Sequence, residues 1–268
     1  MTDSTPRSPG AGTRETASTP GRFDSGLALT TSIVGLVALV SGFTTPPRSG
    51  PFCSTGCLGY PYTDAAAFVP RDYWWLYPQS LLLVLFLVLL VRIHAVAPPA
   101  AKAFSSVAVV LSTMAVTVLL ADYVIQLAVL QPSLLRGETT ALSMLSQYNP
   151  HGVFIALENL GYLLLGFALL AVAGVFSRAT RLERGLRWLF GAGGAVTVAA
   201  LPALAVAYRA DLEYRYEVAA IAFTWITMVV GGLLLSRWFR SVHTPSAGPD
   251  VSPGPGLPAR DGAQLLSS

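Results

Sequence analysis

Two carboxylic acids lie inside long apolar stretches of this chain, and their chemistry needs an explanation first. Asp122 stands in VLLADYVIQLAVL and Glu158 stands in VFIALENLGYLLL. An ionisable side chain at membrane depth is costly and usually has a function. A buried carboxyl group without a basic partner either takes up a proton or recruits a cation. The two acids therefore indicate a site for a proton, a cation or a hydrogen-bonding solute.

Other polar side chains recur around both acids at helical spacing. Gln126 lies four residues after Asp122, and Tyr162 lies four residues after Glu158, so each pair shares one face of a helix. The two helices are joined by a short connection and are expected to be neighbours, with the acids at similar depth in the outer half of the membrane. The predicted ligand-binding residues are Asp122, Glu158, Gln126, Asn159, Tyr123, Tyr162 and His151.

A purely structural role for these residues is the alternative. Two protonated acids can hydrogen-bond neighbouring helices and do nothing else, as polar side chains often do in membrane bundles. His151 can likewise be a helix-start residue that faces water.

The elements that position the acids are predicted from composition. More than half of the 268 residues are apolar (53%) and only 12% are charged, against about 25% in soluble domains. The apolar residues form blocks that are long enough to cross a bilayer as helices. The sequence therefore predicts an all-α, six-span transmembrane helical bundle at 26–240, with spans at 26–43, 73–97, 104–130, 152–176, 186–208 and 216–239.

The basic residues predict the orientation of the spans. With the N-terminus inside, twelve of the seventeen Lys and Arg residues fall on the cytoplasmic side, and four of these stand in the short 177–187 connection. The positive-inside rule thus predicts that both termini are cytoplasmic, with the plasma membrane as the location. This orientation explains the net charge of +3, so no nucleic-acid partner is expected.

Three segments outside the spans have their own signatures. Residues 1–25 and 241–268 are rich in Pro, Gly and Ser, which predicts disordered cytoplasmic tails. The extracytoplasmic loop 44–72 contains Cys53 and Cys57, which we expect to form a disulfide. A redox pair is the alternative, but thiol oxidoreductases usually separate their cysteines by two residues. The loop lacks the further ligands that a metal site needs.

Three local patterns give sharper expectations. Asn149-Pro150 predicts the start of a helix, with Asn as the N-cap and Pro at the first helical position. The run LLLVLFLVLLV is apolar on every face, which favours a lipid-facing second span. Trp225 falls in the middle of the sixth span, whereas the other tryptophans fall near span ends.

The residue inventory leans against an enzyme. An intramembrane serine protease needs a His at depth, and a zinc hydrolase needs clustered His residues, but His94, His151 and His243 are predicted at span ends on two sides of the membrane. No cofactor or metal is predicted.

Three hypotheses for function remain. The first is a multi-pass membrane protein that binds or transports a small solute, proton or cation through an outward-facing polar pocket. The second is an accessory or sensor protein whose spans and outer loop bind a membrane partner protein. The third and weakest is a membrane-embedded enzyme that uses the acids for proton transfer on a lipid-soluble substrate. In all three hypotheses the protein is surrounded by the lipid bilayer.

Overall fold

The computed structural model describes residues 20–140 and 142–243. The predicted disordered tails lie largely outside these residues, since only 20–25 and 241–243 of them are described. Within the described residues the chain is helical and contains no strand. The α-helices are α1 (Pro20–Thr44), α2 (Leu76–Val96), α3 (Lys102–Ile125), α4 (Gln131–Arg136), α5 (Leu142–Leu145), α6 (Val153–Ala173), α7 (Arg181–Tyr208) and α8 (Arg215–His243).

Six helical stretches are long and apolar enough to cross a membrane, which confirms the predicted number of spans. A wide turn at Gln126–Leu130 joins α3 to α4, so the third stretch is continuous. The six stretches are Gly21–Thr44, Arg71–Val96, Pro99–Arg136, Val153–Ala173, Arg181–Asp211 and Arg215–Val242. The protein is therefore a multi-pass membrane protein by the length and composition of its helices.

Two helices begin earlier than the sequence predicts, and a local interaction accounts for each. α1 starts at Pro20 rather than at 26, and its Asp24 forms a two-pronged ion pair with Arg92 of α2 at 2.6 and 3.2 Å. α7 starts at Arg181 rather than at 186, because the Thr180 side chain caps it by accepting the backbone N–H of Glu183 at 3.1 Å. Polar end groups thus extend both helices beyond their apolar runs.

The six long helices form a ring. The closest pairs are α1 with α8, α3 with α6, α6 with α7, α7 with α8, α1 with α2, and α2 with α3, while α6 also contacts α8 across the middle. Six crossings bring Pro20 and His243 to the same end, called here the tail end. The opposite end carries the connections 45–75, 137–152 and 209–214, which we call the cap. α3 and α6 are neighbours, as the sequence predicts.

Glycines permit the closest helix contacts. A Cβ on Gly194 of α7 would stand 2.6 Å from the carbonyl oxygen of Gly166 and 2.7 Å from the backbone nitrogen of Leu170, both on α6. A Cβ on Gly232 of α8 would stand 2.6 Å from the carbonyl oxygen of Ala28 on α1. Backbone atoms cannot move aside as side chains can, so these contacts require glycine.

The second span, which we expected to face lipid, has one exposed face and one buried face. α2 buries Leu82, Leu83, Phe86 and Leu89 between α1 and α3, and only its other face is exposed. Of the six long helices, α7 packs least against its neighbours. In its apolar stretch 17% is buried, against 39% in α2. Leucine occurs on both the buried and the exposed face of α2. The sequence of α2 therefore did not show which face packs inside the bundle.

The cap contains one disulfide, and a turn stands where the sequence predicts the start of a helix. Cys53 and Cys57 are bonded to each other, as predicted, at the exposed tip of the 45–75 loop. The helix after Asn149-Pro150 begins only at Val153, with Gly152 as its N-cap. Asn149 instead stabilises a turn: its side-chain oxygen accepts the N–H of His151 at 3.0 Å, and its side-chain nitrogen donates to the carbonyl of Ser143 at 2.9 Å.

We predict that Gly194→Ala destabilises the bundle by about 1–3 kcal/mol, because the added methyl group collides with the α6 backbone. Thermal unfolding of the purified protein in detergent measures the effect. Gly185→Ala, on the same helix, is the control, since its Cβ meets nothing within 4 Å. Equal stability of the two variants would contradict the close packing of α6 and α7.

Candidate functional site

The structure brings the two predicted acids together in the half of the bundle nearest the cap. Asp122 on α3 and Glu158 on α6 are both almost completely buried and close enough for their charges to interact. The Tyr123 hydroxyl donates to Glu158 Oε1 at 3.0 Å and lies 3.2 Å from the Tyr162 hydroxyl. Gln79 of α2 in turn donates to the Tyr162 hydroxyl at 3.2 Å. Side chains from three helices thus meet around Glu158.

A third acid completes what we call the acidic cluster, which consists of Asp122, Glu158 and Glu217. Glu217 lies in the first turn of α8, and its carboxyl group is within hydrogen-bonding reach of Glu158. Each of the three acids has one buried oxygen that no hydrogen-bond donor of the described residues reaches. Orphaned acceptors of this kind are rare in folded proteins, because each loses its bond to water.

The ion pairs among the described residues do not involve this cluster. They join Arg48 and Arg71 to Asp72, Arg92 to Asp24, and Arg215 to Glu213. Two carboxylates that face each other without a cation repel strongly in a low-dielectric surrounding. An acidic cluster of this kind favours bound protons or a bound cation.

A partly open cavity of about 320 Å³ leads from the cap to Glu217. This volume is within the range of small-molecule sites. Trp75, Phe154 and Trp225 form its inner wall, and Trp75 and Phe154 also contact the ring of Tyr123 behind them. The full lining is Gly42, Phe43, Thr45, Pro46, Pro47, Arg48, Ser49, Phe52, Trp75, Gln147, Tyr148, Phe154, Tyr214, Glu217, Val218, Ile221 and Trp225.

Hydrogen bonds between cap segments form the rim of the cavity. The Ser49 hydroxyl donates to the Tyr148 carbonyl at 2.6 Å and lies 2.7 Å from the Tyr214 hydroxyl. The Tyr214 hydroxyl also donates to the Gln147 carbonyl at 3.2 Å. Burial raises the pKa of Tyr214 well above its ordinary value. The phenol therefore stays protonated and continues to donate at any physiological pH.

The arginine at the rim is paired with Asp72, a carboxylate that it shares with Arg71. Arg48 donates to Asp72 Oδ2 at 2.8 Å and lies over the ring of Phe68, with 4.0 Å from its guanidinium carbon to the ring centroid. Burial raises the pKa of Tyr148, and the negative charge of Asp72 adds to this rise. Glu217 is the one acidic residue in the lining of the cavity, and the aromatic rings of the lining can also attract a cation.

The residues predicted from sequence lie around this cavity and not on its wall. Gln126 holds the cap, since its nitrogen donates to the Leu145 carbonyl at 2.6 Å and its oxygen accepts the N–H of Gln147 at 3.2 Å. Asn159 is partly buried, with a side-chain oxygen that lacks a hydrogen-bond partner among the described residues. His151 is exposed in the turn before α6. Of the predicted set, Asp122, Glu158, Tyr123 and Tyr162 come together.

Sequence reasoning missed the residues that line the cavity. Glu217 stands at the end of a charged run, which indicates a solvated helix start. A signal was present nonetheless, because Glu217, Ile221 and the mid-span Trp225 are spaced by four residues and share one face of α8. An acid in line with a tryptophan at membrane depth indicates a polar cavity between helices.

Comparisons with protein-family models, with curated proteins and with solved structures found no match to this chain.

We predict that Tyr123→Phe costs about 1–3 kcal/mol, because Glu158 Oε1 then loses its buried donor. Thermal unfolding in detergent measures the loss. Tyr77→Phe is the control, since Tyr77 is 59% exposed on α2, and we expect it to change stability by less than about 0.5 kcal/mol. If Tyr123→Phe is as stable as Tyr77→Phe, the Tyr123 hydroxyl is not a significant donor to Glu158.

Proposed function

We propose that this membrane protein binds a small organic cation, such as an ammonium compound with an apolar group, in the cavity between the cap and the acidic cluster. One observation carries the proposal. Glu217 lines an aromatic cavity of about 320 Å³ and backs onto a second buried acid, Glu158. The cavity therefore offers one negative group and several apolar side chains along its wall.

The chemistry of the wall favours an organic cation over a bare metal ion. Trp75, Phe154 and Trp225 line the cavity with aromatic rings, which attract cations and have no strong metal-ligating atom. Cation–π contacts are worth about 0.5–2 kcal/mol each when they are shielded from water. Glu217 supplies the counter-charge, since Arg48, the one arginine in the lining, is already paired with Asp72.

The orientation in this proposal follows the distribution of basic residues. The tail end carries Arg178, Arg181 and Arg184, which are exposed, and the cap carries the disulfide. Basic residues favour the cytoplasmic side, and disulfides persist outside it. The cavity then takes up its cation from outside the plasma membrane.

The site supports the binding of a solute better than it supports transport. Below the acidic cluster, toward the tail end, Leu83, Leu119 and Leu165 are completely buried. Each lies about one helical turn from Gln79, Tyr123 or Tyr162. Translocation would require this apolar layer to open, whereas binding does not.

An accessory role is the second candidate, because the tip of the cap exposes aromatic side chains. Phe52 and Tyr60 flank the disulfide and are 46% and 75% exposed. Exposed aromatic residues are common anchors in protein interfaces. Mass analysis of protein extracted in mild detergent separates the two functions, since a retained ammonium compound supports the first and a stoichiometric partner protein supports the second.

We predict that benzyltrimethylammonium raises the melting temperature of the purified full-length protein, because a ligand that binds only the folded state stabilises it. At a concentration of one hundred times Kd the gain is about 2.7 kcal/mol. Glu217→Gln removes the counter-charge and should weaken binding at least tenfold, roughly 1.4 kcal/mol.

Two controls accompany this experiment. Glu138→Gln, at an exposed position in the cap, should bind like the parent protein. Neopentylbenzene has the same shape without the charge and should bind much more weakly. Equal stabilisation by the charged and the neutral compound would reject the cation site.

A further inference from the structure

We infer that the acidic cluster binds its cation by exchange for a proton: the Glu158–Glu217 pair holds a proton between its carboxyl groups in the unliganded protein and releases it when the organic cation enters the cavity. This inference rests on the proposed function and adds the coupled ion, a proton, to it.

The first step of the argument is the contact between the two acids. Their carboxyl groups lie within hydrogen-bonding reach, yet Oε2 of each has no donor among the described residues. Two ionised carboxylates cannot stay at that distance in a buried site. A proton between them turns the repulsion into a hydrogen bond and satisfies the orphaned oxygens.

The second step is the division of roles between the two acids. Glu158 is completely buried and accepts the Tyr123 hydroxyl at 3.0 Å, which stabilises its ionised form. Glu217 lines the cavity and has no such donor on its Oε2. The releasable proton therefore belongs on the Glu217 side, where a ligand can reach the carboxyl group. Glu158 acts as a positioning residue that holds this proton in place.

The third step is charge balance. A buried site resists any change in its net charge, because an uncompensated charge in a low-dielectric medium is costly. When a cation enters and one proton leaves, the net charge of the acidic cluster and its bound cation, taken together, equals that of the protonated cluster. The O–H bond of the Glu217 carboxyl breaks, its electron pair stays on the carboxylate, and the proton passes to water at the mouth of the cavity. No electron is transferred.

Other titratable and charged groups surround the pair and set the background for its titration. Asp122 feels the charge of both acids and has an unpartnered oxygen of its own. The groups that face the pair from the neighbouring elements are Asp122 and Tyr123 of α3, Tyr162 of α6, and Arg48, Tyr148 and Tyr214 of the cap.

The test is titration calorimetry of the purified full-length protein with benzyltrimethylammonium, which carries no proton of its own. Measurements at one pH in phosphate and in Tris, which differ in ionisation enthalpy, give the number of protons released. We expect about one proton per bound cation near pH 7. We also expect the affinity to rise up to about tenfold per pH unit from pH 6 to 8, as linkage requires.

A second variant separates the acid pair from the other groups of the protein that can release a proton. Glu158→Gln leaves an amide that donates to Glu217 without a shared proton, so Glu217 stays ionised. This variant should bind benzyltrimethylammonium without proton release and with little pH dependence. Glu138→Gln should behave like the parent protein in both respects.

The possible outcomes are distinct. Parent protein that binds the cation, releases no proton and shows no pH dependence overturns the exchange but leaves the proposed function intact. Proton release that persists in Glu158→Gln also overturns the exchange. Parent protein that does not bind the cation at any pH rejects the proposed function and the exchange together.

Discussion

The meeting of two carboxyl groups inside an apolar helical bundle is the constraint on which the rest of this structure depends. Glu158 and Glu217 come from different helices, and each has an oxygen without a donor among the described residues. Water would solvate such groups, but the hydrogen-bond donor that reaches Glu158 among the described residues is the Tyr123 hydroxyl. In the function proposed above, their ionisation is linked to a proton or a cation that can enter and leave.

The surrounding helices keep this arrangement rigid. Gly194 lets α7 approach the backbone of α6, and Gly232 does the same for α8 and α1. The helices α6 and α8, which carry Glu158 and Glu217, are thus each packed closely against a neighbouring helix. Gln126, from α3, fastens the cap above the cluster by bonds to Leu145 and Gln147. A polar side chain that the sequence assigns to the ligand site therefore serves to shape its entrance.

The cavity is one-sided in this conformation. Aromatic rings and Glu217 face the cap, while leucines close the bundle toward the tail end. A one-sided site suits binding and sensing directly, and it suits transport only if a second conformation opens the leucine layer. The exchange of a proton for a cation is compatible with either, since it concerns the occupied site and not the route beyond it.

The sequence by itself determined the class of the molecule and the presence of buried acids. Six apolar blocks, the disulfide between Cys53 and Cys57, and the neighbourhood of α3 and α6 followed from local patterns, because hydrophobic length, cysteine spacing and short connections act over few residues. Only the tertiary structure decided that Glu217 joins Glu158 and that α2 has a buried face. Glu217 lies fifty-nine residues after Glu158, and only the packing of α6 against α8 brings the two together. No local pattern in either segment specifies that contact, since it arises from the ring closure of all six helices.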